Sequence, residues 1–184
     1  LNNNRAVKMK LKVLVADKFP DKYIQQMKDL DFEVRYNAKL GEKDLPEASL
    51  DVDIIVVRST VVNEETINKG KKLNLIIRAG SGVNNINIAA ANKKGIYVTN
   101  CPGMNAVAVA ELAVGLMIAL DRFIPDNVSD FNKGVWNKDK YSKGKGLKGK
   151  KLGLIGVGNI GKEVAKRALA FEMNVYGKDI SRIE

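Results

Sequence analysis

The sequence predicts an α/β protein in which parallel sheets are covered by helices. Short runs rich in Val and Ile recur at Leu11–Ala16, Phe32–Tyr36, Asp53–Arg58, Leu75–Ala79 and Ile96–Thr99. The segments between them carry apolar residues at helical spacing rather than tight hairpin turns. A last block repeats the alternation around a glycine-rich turn, with a strand over Lys151–Ile155, a helix over Asn159–Phe171 and a strand over Asn174–Lys178. Strands joined through helices pair in parallel, because the crossover brings the chain back to the same end of the sheet.

The elements follow in order. Met9 directly precedes the first strand and reads as the natural start, with Leu1–Lys8 an upstream scar that lacks the apolar stretch of a secretory leader. Ile24, Met27 and Leu30 then recur at helical spacing, with Asp21 placed to cap that helix. Asn63-Glu64-Glu65-Thr66-Ile67 reads as a capped helix start with acids in its first turn. Asn87 plays the same part before Ile88-Ala89-Ala90-Ala91, and Gly95 closes that helix. These elements make a first domain over residues 9–103, ended by the Pro102-Gly103 break.

The second domain, residues 104–184, opens with a long helix over Asn105–Arg122. It is apolar around most of its circumference, which predicts burial on more than one side, and Gly115 would permit close backbone approach. A core helix and a subunit interface are both consistent with that pattern. Asp130–Gly149 predicts an extended arm, with glycines at 134, 144, 146 and 149 and with Trp136 requiring a pocket.

Composition narrows the function. Hydrophobic residues make up 45% and charged residues 28%, a globular balance. The net charge of +10 could serve a nucleic acid or a small anion. The lysines are scattered, with only a modest concentration from Lys133 to Lys151, so no nucleic-acid partner is predicted and a Lys-rich surface remains. The most apolar run, Ala106–Leu120, is interrupted by Glu111 and falls short of the roughly 18–20 residues a membrane span needs, so no membrane partner is predicted either. The single cysteine, Cys101, has no partner for a disulfide and no Cys/His spacing suggests a metal, which fits a cytoplasmic protein.

Gly156-Val157-Gly158-Asn159-Ile160-Gly161 fits G-x-G-x-x-G. The pattern alone is common. Here it leaves a strand and opens a helix, and Asp179 stands 18 residues beyond Gly161 at the end of the next strand. Gly156 makes the tight turn, Gly158 leaves room for a pyrophosphate against the backbone, and Gly161 lets the helix pack closely on the strand. The backbone amides of Asn159 and Ile160, at the positive end of the helix dipole, face the phosphates. Asp179 would accept hydrogen bonds from the adenosine ribose and repel a 2′-phosphate, so the cofactor predicted is NAD. Arg182, which could hold that phosphate, leaves NADP open. The second domain is therefore predicted to begin a Rossmann fold.

With this motif placed after about 150 residues of other α/β structure, the chain resembles the D-isomer-specific 2-hydroxyacid dehydrogenase family. Val57-Arg58-Ser59-Thr60 and Ile77-Arg78-Ala79-Gly80-Ser81-Gly82-Val83-Asn84-Asn85-Ile86-Asn87 are similar to segments of its phosphoglycerate dehydrogenase branch. Asn100-Cys101-Pro102-Gly103, Asn105-Ala106 and Val109-Ala110-Glu111 resemble the family's hinge and interdomain helix. The resemblance implies a flavodoxin-like, parallel-sheet substrate domain before the Rossmann domain. It implies a phosphorylated 2-hydroxyacid as a small anionic substrate, held by Arg58 and Arg78, and paired guanidinium contacts suit a phosphate and a carboxylate. It also places the backbone of Ser81, Gly82 and Val83 at the substrate carboxylate, with Ser81 close to the nicotinamide end of the cofactor. Lys138 stands where the branch often has an arginine reaching a partner subunit's site, and Asn159 stands where the motif usually has an arginine. A homodimer or higher homo-oligomer through the apolar helix and the Trp136 arm is implied as well.

The family's catalytic arginine, glutamate and histidine lie later in the nucleotide domain, and this chain contains no histidine. The chain is thus expected to end before the catalytic set and to show no turnover by itself. Two alternatives stay open: a related hydroxypyruvate or glycerate reductase, and a non-catalytic, corepressor-like sensor of NAD.

Overall fold

The computed structural model describes residues 10–180. The chain divides into two compact units after Pro102.

The first unit is built on a five-stranded sheet in the order β2-β1-β3-β4-β5, parallel throughout. The strands are β1 (Lys12–Val15), β2 (Glu33–Tyr36), β3 (Ile54–Val57), β4 (Leu75–Arg78) and β5 (Tyr97–Thr99). They alternate with α1 (Asp21–Asp29), α2 (Leu45–Ala48), α3 (Glu64–Lys69) and α4 (Ile88–Lys94). This is the flavodoxin-like order the resemblance implies. Central strands are buried on both faces, which is why Val13–Ala16 in and after β1 and the whole of β3 read as unbroken apolar runs. Leu14, Ala16, Ile55 and Val57 pack with Ile67, Ala90 and Ala91, whereas Val13, Val15 and Val56 pack with Ile24 on the other side. From β1 the chain steps outward to β2 and then returns to β3 on the far side of β1. The topological switch therefore lies between the carboxyl ends of β1 and β3, where open α/β sheets bind their ligands. At the opposite ends of the same strands, Asp53 accepts the Lys12 N–H at 2.7 Å.

The helix caps follow the sequence at two points. Asn63 accepts from the Thr66 N–H at 2.9 Å and Asn87 from the Ala90 N–H at 3.0 Å. Gly95 closes α4 in the left-handed conformation, φ 68°. Asp21 differs: Pro20 is the capping residue of α1 and makes no side-chain cap, while Asp21 lies in the first turn, where its charge still favours the dipole.

The second unit holds α5 (Ala106–Asp121), α6 (Ile124–Asn132), α7 (Lys138–Tyr141), β6 (Lys151–Ile155), α8 (Asn159–Ala170) and β7 (Asn174–Lys178). β6 and β7 pair in parallel. α5 packs on α8, and an Arg167–Glu111 ion pair at 3.2 Å joins them. Within this unit Ala106, Ala110 and Val114 of α5 are covered, while Leu112, Leu116 and Leu120 are exposed. Nothing approaches within 4 Å of where a Cβ on Gly115 would sit. One expectation is corrected here: the segment after α5 is not a plain arm, since α6 and α7 interrupt it; Trp136 is 79% exposed within the chain. Pro125 in the first turn and the spacing of Ile124, Val128 and Phe131 favour α6.

Candidate functional site

Two groups of residues gather, one in each unit. In the first unit Arg58 directly follows β3 and Arg78 ends β4, so both lie at the carboxyl edge of the sheet. The turn that carries Arg58 is held from three directions. Asp17, just beyond β1, accepts the N–H groups of Arg58 at 2.6 Å and of Ser59 and Thr60 at 3.0 Å, all on one carboxylate oxygen. Partial burial pushes the Asp17 carboxyl up, but these amides outweigh it and hold it below the usual carboxylate range. Arg78 donates from Nε to the Arg58 carbonyl at 3.1 Å. Asn85 donates from Nδ2 to the Thr60 carbonyl at 2.8 Å, and its Oδ1 is buried with no partner.

The loop after β4 is anchored in turn. Asn100 donates to the Ser81 carbonyl at 2.6 Å, and the Cys101 N–H to the Gly80 carbonyl at 2.9 Å. Gly80 lies beneath Arg78: a Cβ there would meet the guanidinium Nη1 at 2.1 Å. Ser81 Oγ faces the Cys101 carbonyl at 3.4 Å, Gly82 is exposed, and Val83 borders a groove of about 660 Å³ with Ile88, Tyr97 and Asn100. The structure thus brings Arg58 and Arg78 together and sets the Ser81-Gly82-Val83 backbone on the loop that follows. Gly80, Asn85 and Asn100 stand in the quoted motif segments without a role of their own, and Asp17 stands in none. An acid just past the first strand of a parallel sheet is the one signal that could have found Asp17.

In the second unit β6 runs into Gly156, whose φ of 90° suits a residue without a side chain. A Cβ on Gly161 would sit 2.4 Å from the Gly156 carbonyl oxygen, so helix and turn touch there. Around Gly158, by contrast, a Cβ would meet nothing within 4 Å among the described residues, leaving open space among them at the N-terminus of α8. Asn159 and Ile160 open that helix, exposed. Asp179 follows β7 and accepts the Val157 N–H at 2.6 Å and the Ile180 N–H at 2.7 Å, fixing its carboxylate beside the glycine turn. An open cradle, a 12-residue helix pointing its free amides into it and a fixed carboxylate fit a dinucleotide. Lys138 is elsewhere in this unit, lining a small cavity of about 190 Å³ with Asn127, Trp136 and Tyr141. Arg182 lies outside the described residues. Among the described residues, no cluster of three or more His, Cys, Asp or Glu is placed to hold a metal, and no helix is long and apolar enough to cross a membrane.

Residues 13–177 match the family profile of the D-isomer specific 2-hydroxyacid dehydrogenase catalytic domain. The chain belongs to this family. Among its relatives, a D-3-phosphoglycerate dehydrogenase of Methanocaldococcus jannaschii is 43% identical over 170 residues, covering 92% of this chain and 32% of the relative. A hydroxypyruvate reductase of Thermotoga maritima is 47% identical over 146 residues, covering 79% of this chain and 47% of the relative. The chain thus spans a third to a half of the dehydrogenases it matches. Of solved structures, the NAD+-bound 3-phosphoglycerate dehydrogenase of Entamoeba histolytica superposes with a TM-score of 0.76 at 32% identity, covering 96% of this chain and 56% of that one. The TT0316 protein of Thermus thermophilus superposes with a TM-score of 0.86 at 28% identity, covering 94% and 57%.

Proposed function

We propose that the complete protein containing this chain oxidises D-3-phosphoglycerate to 3-phosphohydroxypyruvate with NAD, the entry step of L-serine biosynthesis. The observation that carries the reading is the linked pair of arginines at the ends of β3 and β4, Arg78 Nε on the Arg58 carbonyl at 3.1 Å. A substrate with a phosphate and a carboxylate needs two such cations, and unphosphorylated glycerate needs fewer. NAD, when bound, supplies the chemistry by accepting hydride from C2 of the hydroxyacid. Gly156, Gly158 and Gly161 shape its cradle, the Asn159 and Ile160 amides neutralise its phosphates, and Asp179 selects its ribose. Ser81, Gly82 and Val83 offer backbone amides to the substrate carboxylate, with Ser81 also near the cofactor. The hydroxyl proton passes to a base outside these 184 residues, which include no histidine.

Lys138 and the exposed Trp136 are assigned to contact with a second copy in a cytoplasmic homodimer or higher oligomer. A second reading, hydroxypyruvate reduction, is favoured by the 47% identical Thermotoga relative. Steady-state kinetics of the complete protein and its Arg58→Ala and Arg78→Ala variants separate the two. Each substitution is expected to lower kcat/KM about ten- to hundredfold on phosphoglycerate and less on glycerate. Equal losses on both substrates would favour the second reading.

A further inference from the structure

Three consecutive backbone N–H groups converging on one point make an anion-binding nest. Arg58, Ser59 and Thr60 form such a nest on the carboxyl side of β3. It sits at the β1/β3 switch point, the position at which a flavodoxin-like sheet takes an anionic ligand. Here the anion is already present in the chain, because Asp17 fills the nest from the end of β1.

A fixed negative charge beside a site for anions weakens binding by repulsion unless it organises the donors of that site. The hydrogen bonds indicate that organisation. The Arg58 main chain is fixed at its N–H by Asp17 and at its carbonyl by Arg78. Thr60 is fixed at its N–H by Asp17 and at its carbonyl by Asn85. The main chain of the turn is thereby set before any ligand arrives.

We infer that Asp17 is a positioning residue: its carboxylate stands in for a ligand anion at the switch point, presets the Arg58-Ser59-Thr60 turn, and so leaves anion recognition at this turn to the side chains of Arg58 and Arg78. The substrate half of this rests on the function proposed above; the filling of the nest does not.

Asp17→Gly in the complete protein removes a CH2–COO⁻ group, which acetate replaces almost atom for atom. Hydrogen exchange at the Arg58, Ser59 and Thr60 amides is expected to quicken in the variant and to slow again, saturably, with added acetate but not with chloride at equal ionic strength. KM for phosphoglycerate is expected to rise about ten- to hundredfold, with kcat less affected, and to fall back with acetate. Asp17→Asn, which keeps the shape and a neutral acceptor, serves if the glycine variant does not fold, and is expected to show a smaller rise in KM. Unchanged amide exchange in Asp17→Gly overturns the inference. So does an unchanged KM for phosphoglycerate while Arg58→Ala still raises it. If the amides lose protection and neither Asp17→Gly nor Arg58→Ala moves any KM, the nest stands and the assignment of Arg58 to substrate falls.

Discussion

Arg78 Nε donates to the carbonyl of Arg58 at 3.1 Å, so the two cations assigned to the substrate are joined through main chain rather than simply adjacent. Lysine at position 78 would keep the charge but not the planar group that can hold a carbonyl and a ligand together. Arg78→Lys is expected to reduce kcat/KM for the phosphorylated substrate by about tenfold or more, on the scale of one lost charge-assisted bond. Kinetics indistinguishable from wild type would show that charge alone suffices.

Gly80→Ala tests the same geometry from below. The new methyl would meet the Arg78 guanidinium Nη1 at 2.1 Å and displace it, and a long side chain gives way at low cost. The expected result is kinetics like those of Arg78→Lys with a melting temperature close to wild type.

Gly158 and Gly161 should respond in opposite ways. The Gly161 Cβ position is 2.4 Å from a backbone oxygen, so Gly161→Ala is expected to destabilise the protein by about 1–3 kcal/mol. Gly158 faces open space, so Gly158→Ala is expected to fold normally while weakening NAD binding. Thermal melts and cofactor titrations on both variants check this.

Asp179 takes the Val157 N–H at 2.6 Å, which ties its carboxylate to the shape of the glycine turn. Asp179→Ala is expected to weaken NAD binding and to reduce discrimination against NADP, since both the acceptor and the repelling charge are lost. A wild type that prefers NADP in direct titration would move the determinant to Arg182.

Acid should destabilise the protein from a clear threshold. Arg35 and then Lys12 hold the Asp51 carboxyl well below its ordinary range, while Lys150 lowers Asp121, and Tyr141 with Lys140 lowers Asp130. A depressed carboxyl adds stability that is complete above its ordinary value near 4 and disappears as pH falls through the folded value. No histidine titrates between. Melting temperature is expected to be flat from about pH 5 to 8 and to fall below about pH 4, less steeply in Asp51→Asn.

The sequence made the strands legible because Val and Ile runs have no other use in this fold, and the caps at Asn63 and Asn87 are local chemistry. Helix α6 was missed because its apolar spacing is short and its neighbours are polar. The exposed stripe of α5 is not legible, because composition shows that a helix is apolar but not which neighbours cover it. Arg58, Arg78 and the glycine turn carry motifs. Asp17 carries none, since its significance comes from three amides that are 41 to 43 residues away in the chain.

That distant partner has a counterpart at the other end of the same two strands. Asp53, at the head of β3, accepts the first amide of β1, and Asp17, at the tail of β1, accepts the amides after β3. Apolar alternation normally sets strand register, but β1 and β3 are apolar on both faces, so a one-residue slip would exchange methyl groups for methyl groups. Such a slip would, however, pull both carboxylates off their donors at once. The two aspartates therefore act as the bookends of an otherwise slippery ladder, and fidelity of assembly is written in its charged ends rather than in its greasy middle.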